Sequence, residues 1–445
     1  MQLSDELKKY GHVFSVKKSG AQYAIVFVGM IVIGRIFSLG IIAQIALCVA
    51  GVVFLPFFLK NAAANERHQR RFSDLNIYME QFLYSFMKTG KVLTSLEDVM
   101  RLFDDGEMSD TIGKAREYIL HTYDDVSVEE EGLRIIEEAY PNDMLRILHH
   151  FAIQTENLGG EYGESVQLLL EARRMWADRV YELQQEKKKK RREIFMSIVV
   201  SLMLCLMIYF LSARMELDLA TMPAAQVVTV IVLVLDFFIF YRADVALTAG
   251  YVESVHSDGE HYAKEYERLR DEEAKKPWQK LNHRVMKKYV TREIEKEFPY
   301  WLMQLSLLLQ TENVQVSLYK SYDSAPEVLK PALRELIDGL KQAPDSIEPY
   351  IGFLKDYTLP EIHSAMKMLY SISEGSGGDA RVQIADIIRR NQRLMDRAER
   401  MKNEDAIAGM YGLFLAPQIT AGVKLCVDML LLLAVYMGNG GGIWT

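Results

Sequence analysis

Residues 187–242 read KKKKRREIFMSIVVSLMLCLMIYFLSARMELDLATMPAAQVVTVIVLVLDFFIFYR. Six consecutive cations, 187–192, lead into two apolar runs, 194–213 and 222–241, joined by the short polar loop 214–221. Each run has about the twenty residues that an α-helix needs to cross a hydrocarbon core. The segment therefore predicts a membrane hairpin. Working outward, residues 21–59 carry a single charge, Arg35, and are too many for one span but suit a tight hairpin of two. Its break is expected between Arg35 and Gly40, with Arg35 reaching for the far interface; one span from Ile36 to Leu59 behind an interfacial helix is the alternative. The block 406–437 is interrupted by Pro417 and predicts one kinked helix whose last twenty or so residues cross.

Those blocks explain a composition that averages would hide. The 445 residues are 50% hydrophobic and 25% charged, with 52 Lys and Arg against 60 Asp and Glu for a net charge of −8. The mean hydropathy is −0.01, because the apolar blocks alternate with highly charged inserts. The fold expectation is an all-α, polytopic membrane protein of about five transmembrane helices with two helical inserts. Its segments are an amino-terminal stretch 1–20, a hairpin 21–59, an insert 60–193, a hairpin 194–241, an insert 242–405, a last span 406–437 and a tail 438–445. The four lysines of the first twenty residues resemble the start of a signal peptide, but no small-residue cleavage site follows, so an uncleaved anchor is expected.

Orientation follows from the cations, because cytoplasmic flanks carry the excess of Lys and Arg. Lys60, Arg67, Arg70 and Arg71 follow the first hairpin, 187–192 precede the second, and Arg389, Arg390, Arg393, Arg397, Arg400 and Lys402 precede the last span. Both inserts are expected in the cytoplasm and the tail outside, which excludes a receptor with a large external domain. A sequence pI near 5.7 argues against a nucleic-acid binder. Between Glu97 and Glu171, 19 acidic residues face 5 basic ones; such a lobe fits a basic partner surface, and it equally fits a solvated face.

Both inserts are rich in helix formers, with turn signals at Thr89-Gly90, Asp104-Asp105-Gly106, Tyr140-Pro141-Asn142 and Gly159-Gly160 and no alternating strand pattern. Self-comparison points to a duplication. At an offset of 222, Thr89, Val92, Ser95 and Leu96 meet Thr311, Val314, Ser317 and Leu318. At an offset of 218, Leu148, Phe151, Glu156, Gly159, Gly160 and Glu161 meet Met366, Leu369, Glu374, Gly377, Gly378 and Asp379. The paired glycines let the chain turn sharply with positive φ, and the acid that follows suits the positive start of the next helix.

Two helical repeats of this kind, each feeding a basic helix into the membrane, resemble the type II secretion system F-domain family, the inner-membrane platform proteins of secretion systems and type IV pili. The additional amino-terminal spans are most similar to the tight-adherence pilus branch. The resemblance covers about residues 75–437, with two departures. Glu312 stands where Gly90 stands in the first copy, and no Tyr-Pro marks the membrane entry at Glu193-Ile194. The resemblance implies a non-enzymatic platform without cofactors in the bacterial inner membrane. It also implies partners: a cytoplasmic hexameric ATPase, pilin-like subunits, other inner-membrane assembly components, the lipid bilayer and further copies of the chain.

The chain's own chemistry is sparse. Thr89-Gly90-Lys91-Val92 has a Gly-Lys pair but neither the upstream glycine nor the hydroxyl of a phosphate-binding loop. His149 and His150 are adjacent and point about 100° apart on a helix, so they cannot share a metal. Cys48, Cys205 and Cys426 lie inside apolar blocks and suit packing. The acids Asp124, Asp125, Glu129, Glu130 and Glu131 show no liganding spacing and are expected on a solvated face. Inside the membrane, Asp428 sits near the centre of the last span, where an acid costs about 2.5–3.5 kcal/mol. One account is a local pair with Lys424, the lysine reaching inward. The other is a functional acid that receives the charged amino terminus of an entering pilin-like subunit. Asp236 is a second candidate, with Arg242 as its expected partner. A transporter using these intramembrane charges is the rival reading.

Overall fold

The computed structural model describes residues 16–122, 127–159, 162–214, 219–248, 250–253, 259–271, 277–375 and 380–440, and the chain is all-helical among them. Its helices are α1 Val16–Ile36, α2 Ile41–Thr89, α3 Val92–Met100, α4 Glu107–His121, α5 Val128–Ala139, α6 Asp143–Leu158, α7 Gly163–Arg214, α8 Pro223–Leu247, α9 Gly259–Asp271, α10 Pro277–Leu308, α11 Val314–Lys320, α12 Lys330–Gln342, α13 Glu348–Gly352, α14 Pro360–Ser373, α15 Ala380–Ile407 and α16 Met410–Gly440. They form two compact units. Unit one comprises Met1–Arg70, Glu182–Tyr251 and Asp405–Thr445, and unit two comprises Arg71–Tyr181 and Val252–Glu404.

Four stretches are long and apolar enough to cross a membrane: Ile41–Thr89, Gly163–Arg214, Pro223–Leu247 and Val382–Met437. The apolar part of α1, Tyr23–Ile36, is shorter; at 1.5 Å per residue it covers only about 20 Å of a hydrocarbon core about 30 Å thick. Among the described residues, four helices therefore qualify. The α1–α2 break spans residues 37–40. Ser38 takes a positive φ of 52° there, the Gly40 N–H donates to Gln226 Oε1 at 3.2 Å, and Gln44 Nε2 donates to the Met30 carbonyl at 3.0 Å.

Unit one is built inside out relative to a protein folded in water. On α7, Phe195, Met203, Met207 and Phe210 are more than half exposed, while Ser197, Ser201 and Ser212 are buried. On α16, Ile419, Val423, Met429 and Leu430 face outward, and Lys424 and Asp428 are fully buried. Such surfaces would associate in water and need hydrocarbon around them. Together with the four apolar stretches this makes the chain a multi-pass membrane protein. On α8 the buried positions Ala225, Thr229, Val232, Asp236, Ile239 and Ala243 recur every three or four residues, the seam expected for near-parallel helix packing, and α8 packs against α16.

The last span differs from the single kinked helix expected over 406–437. The helix stops at Ile407 and restarts at Met410, with the break at Ala408-Gly409, where glycine has the poorest helix propensity after proline. Pro417 instead sits inside α16.

Unit two takes residues from both inserts rather than splitting into one unit for each. In the first insert, Phe82 stacks on Phe86 at 6.1 Å and Phe86 meets Phe151 edge-on at 6.2 Å. In the second, Phe298, Trp301 and Phe353 form the centre of a core that also holds Leu302, Leu318, Leu333 and Leu369. Polar contacts join the inserts: Arg179 Nε donates to Asp396 at 2.7 Å, Gln392 to Glu171 at 2.7 Å, and Asn403 to the Arg179 carbonyl at 2.9 Å.

Candidate functional site

The buried charges of unit one form a ladder along one face of α16. Thr420, Lys424 and Asp428 recur every fourth residue, so they share a stripe. On the lowest rung, Thr420 Oγ1 donates to the Pro417 carbonyl at 2.9 Å and lies 3.4 Å from Asp236 Oδ1 of α8. One turn on, Lys424 Nζ is ion-paired with Asp428 and donates to the Tyr209 hydroxyl of α7 at 3.2 Å. The same ammonium lies 4.5 Å from the centre of the Tyr209 ring, within cation–π range.

The proton inventory on this rung has one consistent solution. Thr229 Oγ1 donates to the Ala225 carbonyl at 2.7 Å and lies 2.6 Å from the Tyr209 oxygen. Its only hydrogen is thereby used, so Tyr209 must donate to Thr229 and accept from Lys424. Three helices are thus tied through one chain of donors, from Lys424 through Tyr209 and Thr229 to the α8 backbone. Two acceptors stay open: Asp428 Oδ1 and Asp236 Oδ2 are buried and without a hydrogen bond among the described residues.

Two expectations change here. Lys424 is fully buried and turns onto Asp428 and Tyr209 instead of reaching toward an interface. Arg242 is not the partner of Asp236. Six residues correspond to about 600° of helix rotation, which leaves the two about 120° apart on α8, and Arg242 is exposed while Asp236 is buried. The chain neighbour is the wrong neighbour; Thr420, 184 residues away, is the right one.

The paired turns of unit two solve one problem in two ways. Each must end a long helix and start a short one, whose first amide groups need acceptors. In the first, Thr89 bonds back to the Ser85 carbonyl at 2.9 Å, Gly90 takes a φ of 64°, and Glu156 from α6 accepts from the Val92 N–H at 2.7 Å and pairs with Lys91 at 3.2 Å. In the second, Asn313 caps its own helix, accepting from the Val316 N–H at 2.9 Å. Glu312 is not among the residues with positive φ, which explains why no glycine is needed there. Glu374, expected to match Glu156, ends α14 and is exposed. Ser95 and Leu96, and likewise Ser317 and Leu318, are all fully buried; Thr311 bonds to the Leu308 carbonyl at 3.3 Å.

Of the glycine joints, Gly159 follows α6 with a φ of 70°. After α14 the left-handed residue is Gly375, with a φ of 63°. Gly160, Glu161, Gly377, Gly378 and Asp379 lie outside the described residues, as do Asp124 and Asp125.

Of the two histidines, His149 is fully buried between Tyr78, 2.8 Å from Nε2, and Glu137, 2.8 Å from Nδ1. Burial first, and the charge of Glu137 second, hold the Tyr78 hydroxyl well above its ordinary range, so it remains a donor. His150 lines a cavity of about 240 Å³ with Glu137, Asp143, Glu297, Trp301 and Gln304. Burial lowers the His150 pKa against the pull of Glu130 and Glu137. Beside the cavity, Lys402 pairs with Glu297 at 3.4 Å and lies 4.2 Å from the Tyr300 ring centre. Burial opposes its charge, yet Glu297, Glu399 and Asp143 outweigh it and raise its pKa. These charges satisfy one another across the two inserts.

Comparison with protein families, with curated proteins and with solved structures finds no match for the chain.

Proposed function

We propose that the chain is a non-enzymatic assembly platform of a bacterial pilus or protein-secretion apparatus, of the tight-adherence kind, in the cytoplasmic membrane. In this reading α1 crosses as a fifth span and both inserts lie in the cytoplasm. A separate ATPase drives the platform from that side, and pilin-like subunits enter through the membrane unit. The observation that carries the reading is the order of helices in the two inserts. The end of α2 leads through a tight turn to short α3, then α4, α5 and α6, and into long α7. The end of α10 leads likewise to short α11, then α12, α13 and α14, and into α15 ahead of the last span. A buried Ser-Leu pair sits at the same place in each short helix. Recurrence of this order supports duplication, and each copy is joined to a membrane helix as a motion-transmitting platform requires.

The test is deletion of the gene in its source bacterium, with complementation by the intact chain. Loss of surface pili or of secreted protein, restored by complementation, supports the platform; unchanged pili and secretion overturn it. The buried charges favour a second reading, a transporter whose pathway runs along the ladder. It predicts solute flux into liposomes that contain the purified chain alone, which a platform would not support.

A further inference from the structure

The first four turns of α10 carry a basic, partly apolar outward face, on which Arg292 pairs with Glu404 and Lys287 lies over the Tyr357 ring while the other cations are unpaired among the described residues. Residues 277–292 hold five cations, Lys280, Arg284, Lys287, Lys288 and Arg292, and no acid. Leu281, Val285 and Tyr289 are 65%, 45% and 55% exposed, and at a spacing of four they form a stripe about 80° wide. The opposite side is anchored: His283 Nε2 lies 3.1 Å from the Leu269 carbonyl of α9, Met286 packs against the core, and Val290 and Ile294 are buried in it. The outward stripe is therefore a fixed surface rather than a frayed end. Lys280, Arg284 and Lys288 are exposed and have no ion-pair partner among the described residues, whereas most cations of unit two are paired.

We infer that this face of α10 docks on an anionic lipid surface, with Leu281, Val285 and Tyr289 at the boundary between headgroups and acyl chains and the neighbouring cations on lipid phosphates. Charge complementarity selects an anionic partner. The apolar stripe alongside selects a bilayer over an acidic protein surface, since an in-plane helix needs both features at once. The encounter is also intramolecular, because the crossing helices of the same chain hold unit two at a membrane, which raises the effective concentration of headgroups. The inference does not depend on the proposed platform role.

The experiment uses the full chain with its three cysteines replaced, placed singly in lipid nanodiscs and labelled with bimane at Val285→Cys or, as a distal control, at the exposed Asp338→Cys. In phosphatidylcholine–phosphatidylglycerol discs the probe at 285 should shift to the blue and be quenched by doxyl lipids, while the probe at 338 should not. Both signals should be lost in phosphatidylcholine discs and in the triple variant Lys280→Glu, Arg284→Glu, Lys288→Glu, provided its unfolding transition matches that of the parent. Emission at 285 that stays water-like in anionic discs overturns the inference. So does equal quenching in both lipids, or a shift that appears only in discs holding two chains.

Discussion

Lys424 and Asp428 are both fully buried on one stripe of α16, and their consequences can be separated by mutation. Removing one partner leaves an uncompensated charge in low dielectric, at a cost of about 3–5 kcal/mol, whereas replacing both by apolar residues is often neutral or stabilising. Lys424→Leu should therefore lower the unfolding temperature of the purified protein sharply, and Lys424→Leu with Asp428→Leu should recover most of the loss. A single variant as mild as the double would show that the pair is not desolvated. Tyr209→Phe removes the link to Thr229 and should cost about 1 kcal/mol in the same assay. In cells, the double variant distinguishes structure from function: present at normal membrane level but without pilus assembly or secretion, it would make Asp428 a functional acid. Sequence alone exposed Lys424, Asp428 and Asp236 as costly intramembrane charges. It did not expose Tyr209, Thr229 or Thr420, because hydroxyls are cheap enough in a span to raise no flag, and their role exists only once three helices are side by side. Arg242 misled for the converse reason: proximity along the chain ignores which side of a helix a residue occupies.

The helix starts and stops of unit two follow from local backbone chemistry, and they make the two turns unequal. A side chain at Gly90 would have to sit at positive φ, and its Cβ would lie 2.7 Å from the Tyr162 hydroxyl, so Gly90→Ala should destabilise unit two by roughly 1–2 kcal/mol. Glu312→Gly at the other turn should change stability only slightly, since the backbone there already suits an ordinary residue. Denaturant unfolding of the two variants in one background checks the contrast; equal losses would mean that the turns share one geometry. Glu156→Gln keeps an acceptor for the Val92 N–H but loses the charge that pairs with Lys91, and should cost less than Glu156→Ala, for which loss of a helix cap is worth about 1 kcal/mol. The positions of these turns were legible, because Thr-Gly and Gly-Gly punctuate helices wherever they occur. Their caps were not, because Glu156 reaches α3 only through the folding of α6, and Asn313 becomes a cap only once its own backbone turns into α11.

Across the whole chain, the pattern of apolar blocks fixed what the fold could be. In the proposed reading a hairpin of α7 and α8 would return the chain to the side it left and put both inserts on one side of the membrane, which agrees with unit two being built from residues of both inserts. The break between α1 and α2 falls at residues 37–40, within the Arg35–Gly40 stretch that interrupts the first apolar block. Which side the inserts occupy rests on the cations at their flanks, and accessibility in intact cells measures it most directly. Single cysteines are placed at Glu130, Asp345 and Gly440 after replacement of Cys48, Cys205 and Cys426, and are then exposed to a membrane-impermeant maleimide. The account predicts protection at 130 and 345 until the cells are opened, and labelling at 440 from outside. Labelling of 130 or 345 in intact cells would contradict it, and with it the proposed cytoplasmic drive.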